Sequence, residues 1–462
     1  MSEAAVTSQQ GLVGKYQPYP EYKDLGAEWL DEIPVHWKLH SLKFALEMRI
    51  TDGPHETPEF LDEGIPFVSA EAVSKGFIDF DKIRGHISDD DNRKYSRKYS
   101  PRRHDIFMVK SGATTGITAI VDTDQKFNIW SPLAVMRPSQ NFEPYYLLNY
   151  LRSSYFQDSV ALSWSFGTQQ NIGMGILENL SICRPPMEEQ RTIAAFLDYE
   201  TTQIERLIAQ QQRLIELLKE KRQAVIFHSV TKGLNPNAYM KDSGLEWLGQ
   251  VPGHWDVLPV KHIAKFVGTG GTPKEDHSFS ESADICWFTP GDFKGDLKLT
   301  VSKKHITKLS VQTKDAKVYT AGSVLVIGIG ATLGKVALCE FEFSCNQQIN
   351  VIQPNERAEP LFLAYSLSSQ VEQMKLLSNA STIGIMNQEK TKQVTLAIPH
   401  LEEQQEIIRY LDESSQKFAR LLAKSESQIL LLQERRTALI SAAVTGKIDL
   451  RGWTPPTEEA AL

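Results

Sequence analysis

Two stretches of the chain keep their apolar residues on a single helical stripe for roughly ten turns. In the first, Leu197, Ile204, Leu207, Ile208, Leu214, Ile215, Leu218 and Val225 keep to one stripe. In the second, Leu411, Phe418, Leu421, Leu422, Ile429, Leu432 and Leu439 do the same. Such spacing predicts amphipathic helices, and stripes this long bury one another as a coiled coil. The seam is read as Leu197, Ile204, Leu207, Gln211, Leu214 and Leu218 against Phe418, Leu421, Ser425, Leu432 and Leu439. In an antiparallel pair the polar midpoints, Gln211 and Ser425, would meet and help set register. Prolines precede each stretch (Pro185, Pro186; Pro399), acids fill its first turn, and Gly233 or Gly446 follows its end, which is ordinary helix-boundary chemistry. Roughly forty-five residues at ~1.5 Å each make a rod on the order of 60 Å.

Elsewhere the pattern shortens. Ile65–Val68, Asp105–Val109 and Ile117–Val121 are short β-rich runs punctuated by glycine, and Val324–Ile327 and Lys335–Leu338 match the last two. Tyr145–Tyr155 and Pro360–Leu377 read as helices. These pieces come in pairs. Pro186-Met187-Glu188-Glu189-Gln190 returns as His400-Leu401-Glu402-Glu403-Gln404, a shift of 404 − 190 = 214. Lys23-Asp24-Leu25-Gly26-Ala27-Glu28-Trp29-Leu30, leading to Pro34-Val35-His36-Trp37, returns as Lys241-Asp242-Ser243-Gly244-Leu245-Glu246-Trp247-Leu248, leading to Pro252-Gly253-His254-Trp255. Gly112-Ala113-Thr114-Thr115-Gly116 returns as Gly330-Ala331-Thr332-Leu333-Gly334, 330 − 112 = 218 residues on.

The chain is therefore an internal duplication. Its fold class is α/β: two similar mixed α/β domains joined and separated by two long helices in an antiparallel coiled coil, with pseudo-two-fold symmetry. The expected boundaries are a loosely docked lead-in at 1–21, a first domain at 22–182 and a long helix at 183–231. A linker and approach follow at 232–251, then a second domain at 252–397, a second helix at 398–444 and a tail at 445–462.

Composition excludes more than it selects. The 462 residues are 41% hydrophobic and 23% charged, ordinary for a soluble protein. No apolar run approaches membrane-spanning length, and the first residues lack the layout of a signal peptide. The four cysteines (Cys183, Cys286, Cys339, Cys345) form no Cys-x-x-Cys pair and read as reduced thiols in a cytoplasmic protein. Trp29, Trp37, Trp247 and Trp255 are read as packing against helix ends. Enzyme signals are missing: the Gly328–Lys335 turn lacks the glycine and hydroxyl of a phosphate loop, with Ile329 and Val336 in their places. No catalytic constellation and no metal spacing among the eleven histidines is found.

The net charge of −7 argues against nucleic acid until its distribution is considered. Arg93, Lys94, Arg97, Lys98, Arg102, Arg103 and Lys110 crowd one run, interleaved with Tyr95 and Tyr99, against a single acid, Asp105. Lys294, Lys298, Lys303, Lys304, Lys308, Lys314 and Lys317 crowd a comparable run in the second half. Runs of this kind make phosphate contacts, which supply affinity without reading sequence. Base reading needs amides and hydroxyls on fixed loops. The candidates are Thr168, Gln169, Gln170 and Asn171 in the first half, and Thr382, Asn387 and Gln388 in the second.

Taken together, the duplicated Glu–Glu–Gln helix opening, the Pro–x–His–Trp approach and the Gly–Ala–Thr–x–Gly turn resemble the DNA-specificity subunit of type I restriction–modification enzymes, over about residues 22–450. The resemblance implies that each domain reads one half of a bipartite, asymmetric double-stranded DNA site while the helices act as a ruler, with half-sites near a helical turn (~34 Å) apart. It implies a non-catalytic scaffold for two methyltransferase subunits, through which restriction-translocase subunits join. S-adenosylmethionine would then sit in the methyltransferases, and ATP and Mg in the restriction subunits. Two competing readings are a self-contained DNA methyltransferase, which purified chain with methyl donor would reveal, and a coiled-coil interaction protein without a DNA role.

Overall fold

A computed structural model describes residues 16–27, 30–164, 170–275, 278–280, 284–378 and 384–456. The two long helices are Met187–Lys232 and Leu401–Val444. The chain divides into two compact units, and the division falls in the middle of both helices: one unit holds residues 1–212 and 426–462, the other 213–425.

In the first unit a four-stranded sheet has the order Thr51–Asp52, Leu133–Met136, Ile106–Val109, Thr118–Ile120. A second sheet pairs Ile65–Val68 antiparallel with His86–Ile87 and parallel with Asn128–Ile129. The strand after the domain's approach, Lys38–Ser41, pairs with Ser181–Arg184 just ahead of the first long helix, so the domain closes where it opened. The second unit repeats this plan. Ala264–Thr269, Ile349–Pro354, Ser323–Ile327 and Val336–Cys339 follow one another in its larger sheet, with Lys298–Leu299 added at the edge. Ile285–Phe288 pairs parallel with Phe343–Cys345, and Asp256–Pro259 pairs with Thr395–Ile398. Each expected helix beside the sheet is broken once: Pro144–Arg152 then Ser154–Leu162, and Pro360–Ser368 then Val371–Leu377. The first break is at Ser153, whose hydroxyl caps the new helix at the Phe156 N–H. Such capping offers the backbone an alternative to continuing the helix.

The repeated Glu–Glu–Gln motif has a structural explanation in both units. Gln190 is fully buried; its Oε1 accepts from the Glu143 N–H at 2.9 Å and its Nε2 donates to the Pro185 carbonyl at 3.0 Å. Gln404 repeats this with Glu359 at 2.8 Å and Pro399 at 2.9 Å. A buried amide must find partners for both ends, so each glutamine pins its long helix to the domain before it. The carboxylate one residue earlier receives the approach motif. Trp37 Nε1 donates to Glu189 at 2.9 Å and His36 Nε2 lies 2.7 Å from it. Trp255 Nε1 donates to Glu403 at 3.1 Å and His254 Nε2 lies 2.8 Å away. Trp37 and Trp255 are fully buried, whereas Trp247 is 42% exposed and corrects the expectation that it packs like them. Trp29 lies outside the described residues.

Inside each unit one half of each long helix packs against the other, antiparallel. Ile193, Leu197 and Ile204 share a core with Leu439, Ile440 and Val444, and Arg436 reaches Glu205 at 3.2 Å. In the other unit Ile226 and Val230 share a core with Ile407 and Leu411. The far ends dock too. Gly446 has φ +75°, and a Cβ there would stand 2.4 Å from Pro34. Gly233 has φ +76° and faces Trp255 and Pro252. The phase of the seam differs from expectation at three positions. Leu207, Leu214 and Leu421 are 45%, 41% and 48% exposed, while Ile208, Ile215 and Leu422, one residue later, are half-buried. Ile204, Ile208, Gln211, Ile215 and Leu218 step by four and three, as do Phe418, Leu422, Ser425, Ile429 and Leu432. A helix rotates ~100° per residue, so only one of two adjacent leucine-rich columns can face its partner. Residues 16–20 are not loosely docked either: Tyr19 is 3% exposed and donates to Glu189 at 2.9 Å.

Candidate nucleic-acid interface

Both units carry the repeated glycine turn. Gly112 and Gly116 have φ of 98° and 95°, and Gly330 and Gly334 have 87° and 84°. These are left-handed values that glycine alone adopts at no steric cost. Nothing stands within 4 Å of where a side chain would begin at Gly112 or Gly330, so the backbone there is open to close approach. The amide loop is bound to this turn. Gly112 N–H donates to the Gln170 carbonyl at 3.0 Å, and Ser111 bridges Asn171. In the second unit Ile329 bridges Ile385, and the Met386 N–H donates to the Gly328 carbonyl at 2.7 Å. Thr168, Gln169 and Thr382 lie outside the described residues.

Two predicted readers have structural duties instead. Asn387 caps the Gln388–Gln393 helix through the Lys390 N–H at 2.9 Å. Gln388 Nε2 donates to Thr269 Oγ1 at 3.0 Å, and that hydroxyl donates to Asn350 Oδ1 at 2.9 Å.

The first basic run is built on buried acids. Asp105 is 1% exposed. It accepts Arg137 Nε at 2.7 Å and Nη2 at 2.8 Å, the Tyr99 hydroxyl at 2.6 Å and the Arg102 N–H at 2.8 Å. Burial, then the Asp105 charge, pushes the Tyr99 phenol far up. Tyr95 and Tyr99 are thus core residues of the run rather than stacking surfaces. Asp52, also 1% exposed, holds Lys98 and, at 3.0 Å, Lys110. Burial alone would raise the Asp52 carboxyl, but the two lysines together hold it below the usual range. A carboxylate depressed in the folded state stabilises at neutral pH, and that contribution disappears as pH falls through the folded value. The melting-temperature gap between the natural chain and Asp52→Asn is therefore expected to be present at pH 7 and to close below about pH 4. A gap independent of pH would refute the pairing.

The remaining cations point outward. Arg93 pairs with Asp90, Lys94 with Glu56, and Arg103 with Asp124 at 3.2 Å, all exposed. Arg102 lies 4.0 Å from Glu47, and exposed Arg97 joins no ion pair among the described residues. In the second unit Lys294, Lys303 and Lys308 are exposed, and Lys298 pairs with Glu340 at 3.0 Å. Lys304 sits over Phe279 and Trp287, 5.3 and 6.0 Å from their ring centres. Sequence spacing alone could not separate these from the anchored lysines, because the anchors come from distant strands.

Three of the four thiols are buried and Cys286 is half-buried. All four cysteines are free, and burial pushes Cys183 up to about 12 and Cys339 up to about 11. No group of three or more His, Cys, Asp or Glu side chains fit to hold a metal exists among the described residues.

Two like units therefore each hold an amide loop against an open glycine turn and carry a run of exposed cations. The type I restriction–modification DNA specificity domain matches residues 56–217 and 252–431, so the chain belongs to that family. It is similar to a Methanocaldococcus jannaschii chain assigned as the type I restriction enzyme MjaX specificity subunit, at 24% identity over 91% of this chain and 96% of that one. It is 22% identical to the StySPI specificity subunit of Salmonella potsdam over 76% of this chain and 75% of that one. In fold it resembles the HsdS subunit from Thermoanaerobacter tengcongensis, with a TM-score of 0.52, 20% identity and coverage of 90% and 98%. A chain from a structure of complex assembly and conformational transition in the type I restriction–modification system superposes with a TM-score of 0.68, 17% identity and coverage of 90% and 99%. The chain is a DNA-recognition and scaffold subunit, not an enzyme, which assembles with other subunits and DNA and leaves cofactors to those subunits. No helix among the described residues is long and apolar enough to cross a membrane.

Proposed function

We propose that the domain at 22–182 reads one half of a bipartite DNA site and the domain at 252–397 the other, while the helices at 183–231 and 398–444 set the number of base pairs between them. The observation that carries this is the repeated frame: turn, amide loop and basic run in the same order, built twice. Gln170 and Asn171, with Thr168 and Gln169 beside them in the chain, and Thr382 in the second half are the proposed base readers. Arg93, Lys94, Arg97, Arg102 and Arg103, with Lys294, Lys298, Lys303, Lys304 and Lys308, are the proposed phosphate contacts. Lys98 and Lys110 hold the frame for them, and Gln211 and Ser425 set the register of the rods.

Two methyltransferase subunits would dock on the rods, with restriction-translocase subunits joining through them, in the cytoplasm. S-adenosylmethionine would belong to the methyltransferases, and ATP and Mg to the restriction subunits. Support comes from apolar side chains left bare on each helix, Leu207, Leu214 and Leu217 on one and Leu421, Leu430 and Leu431 on the other, which a docking subunit would cover.

The test is a methylation map of DNA from cells carrying the chain and its methyltransferase, repeated after one heptad is inserted into each helix. Seven residues at ~1.5 Å add about 10 Å, or about three base pairs at ~3.4 Å each. The mapped spacer is expected to grow by about that much, and an unchanged spacer would end the ruler reading.

A further inference from the structure

Each unit carries a cationic cleft at the foot of its glycine turn. In the first, a cleft of about 530 Å³ is lined by Lys75, Thr115, Gly116, Arg152, Glu205 and Arg436. In the second, a cleft of about 320 Å³ is lined by Lys219, Arg222, Gly334, Lys335, Asp296 and Ser368, among others. The two are equivalent. Arg436 and Arg222 are 436 − 222 = 214 apart, the repeat of the helices, and Gly334 and Gly116 are 218 apart, the repeat of the turns. Both contain three cations and one carboxylate.

The charge in these clefts is under-compensated. Arg222 and Arg436 each have a buried Nε with no hydrogen-bond partner. Arg436 has a partial counter-ion in Glu205 at 3.2 Å, while Arg222 joins no ion pair among the described residues. Among the described residues Arg152 is bonded only to neutral oxygens, through Nε to Thr118 Oγ1 at 3.3 Å and through Nη2 to the Thr118 carbonyl at 3.1 Å and to the Gly76 carbonyl. Burial, then the nearby Arg436, pushes its guanidinium down to about 10. A half-buried guanidinium with a buried N–H left unpaired is costly. The planar fork with open N–H groups matches the geometry of a phosphate.

We propose that Arg222 and Arg436 are phosphate clamps of the long helices, each holding one backbone phosphate of duplex DNA beside the half-site that its unit reads. This deepens the function proposed above and rests on it. The location favours DNA over an acidic protein: Thr115 and Gly116 line the first cleft, and the Thr115 hydroxyl lies 3.4 Å from the Gln170 carbonyl of the reading loop. A phosphate contact positions the duplex without reading it.

The experiment uses the full chain in complex with its methyltransferase and a duplex bearing the mapped target, with affinity measured across a salt series. Arg222→Gln with Arg436→Gln is expected to make the slope of log K against log salt shallower by about 1.8, at ~0.9 per lost contact. The mapped target should stay the same, and the Lys pair at both positions should restore most of the slope. If the Gln pair melts early, Arg222→Gln alone and Arg436→Gln alone are read the same way, and each should cost about 0.9. An unchanged slope in a folded variant overturns the proposal. So does an altered target sequence, or loss of the methyltransferase at unchanged slope. A natural chain that binds no DNA fails the proposed function itself.

Discussion

Arg97→Glu, Arg102→Glu and Arg103→Glu together are expected to abolish DNA binding while leaving fold and subunit assembly intact. All three side chains are exposed. Their only ionic partners among the described residues are Glu47 at 4.0 Å and Asp124 at 3.2 Å. Exposed pairs contribute about 0–1 kcal/mol, so the domain should melt within a few degrees of the natural chain. Binding should respond differently. Each phosphate contact contributes ~0.9 to the salt slope, so three removed contacts flatten it by about 2.7. Repulsion adds to this, for an affinity loss on the order of 100-fold or more near 0.1 M salt. Lys98 is left out deliberately, because its ammonium is committed to Asp52 and reversing it would unfold what it anchors. Fluorescence anisotropy against a labelled duplex reads the effect, and retained affinity in a folded triple variant would remove this run from the interface.

Asp105→Asn is expected to have the largest effect on stability. One carboxylate receives both branches of Arg137, the Tyr99 hydroxyl and the Arg102 N–H. The amide keeps the shape but offers one acceptor oxygen, so Arg137 keeps its charge with no counter-ion in a site where Arg137 itself is 11% exposed. Breaking a buried pair from one side costs roughly 3–5 kcal/mol. For a domain of this size that corresponds to a drop in melting temperature on the order of 10 °C. The loop carrying Arg102 and Arg103 loses its anchor at the same time, so DNA binding should weaken even below the melt. A melting curve by circular dichroism decides the point: a change of only a degree or two would mean that the pair contributes little.

These two variants show where sequence reasoning reaches and where it stops. The duplication, both long helices and the paired glycine turns are legible because they are local: spacing, capping chemistry and repeated words. Which cations are free is not local. Lys98 is claimed by Asp52, 46 residues earlier, and Asp105 by Arg137, 32 residues later. The same holds for Asn387 and Gln388, whose amides look like readers until the cap and Thr269 are seen to use them. At Leu207, Leu214 and Leu421 the seam lies one residue from its expected position for a different reason. Each of these leucines has an apolar neighbour one position on, and composition cannot tell which of two adjacent columns faces inward.

The division of the chain into units has a consequence for its birth on the ribosome. The first unit's core contains Leu439, Ile440, Val444, Ile448 and Leu450 together with Trp37 and Ile193. It therefore cannot close until residues 439–450 emerge. At ~5–20 residues per second, the 213 residues that form the other unit take roughly 10–40 s to synthesise. Through that interval the early half stands with its greasy face uncovered, so the nascent chain has a built-in period of chaperone dependence. The middle of the chain, by contrast, can fold as soon as it is made.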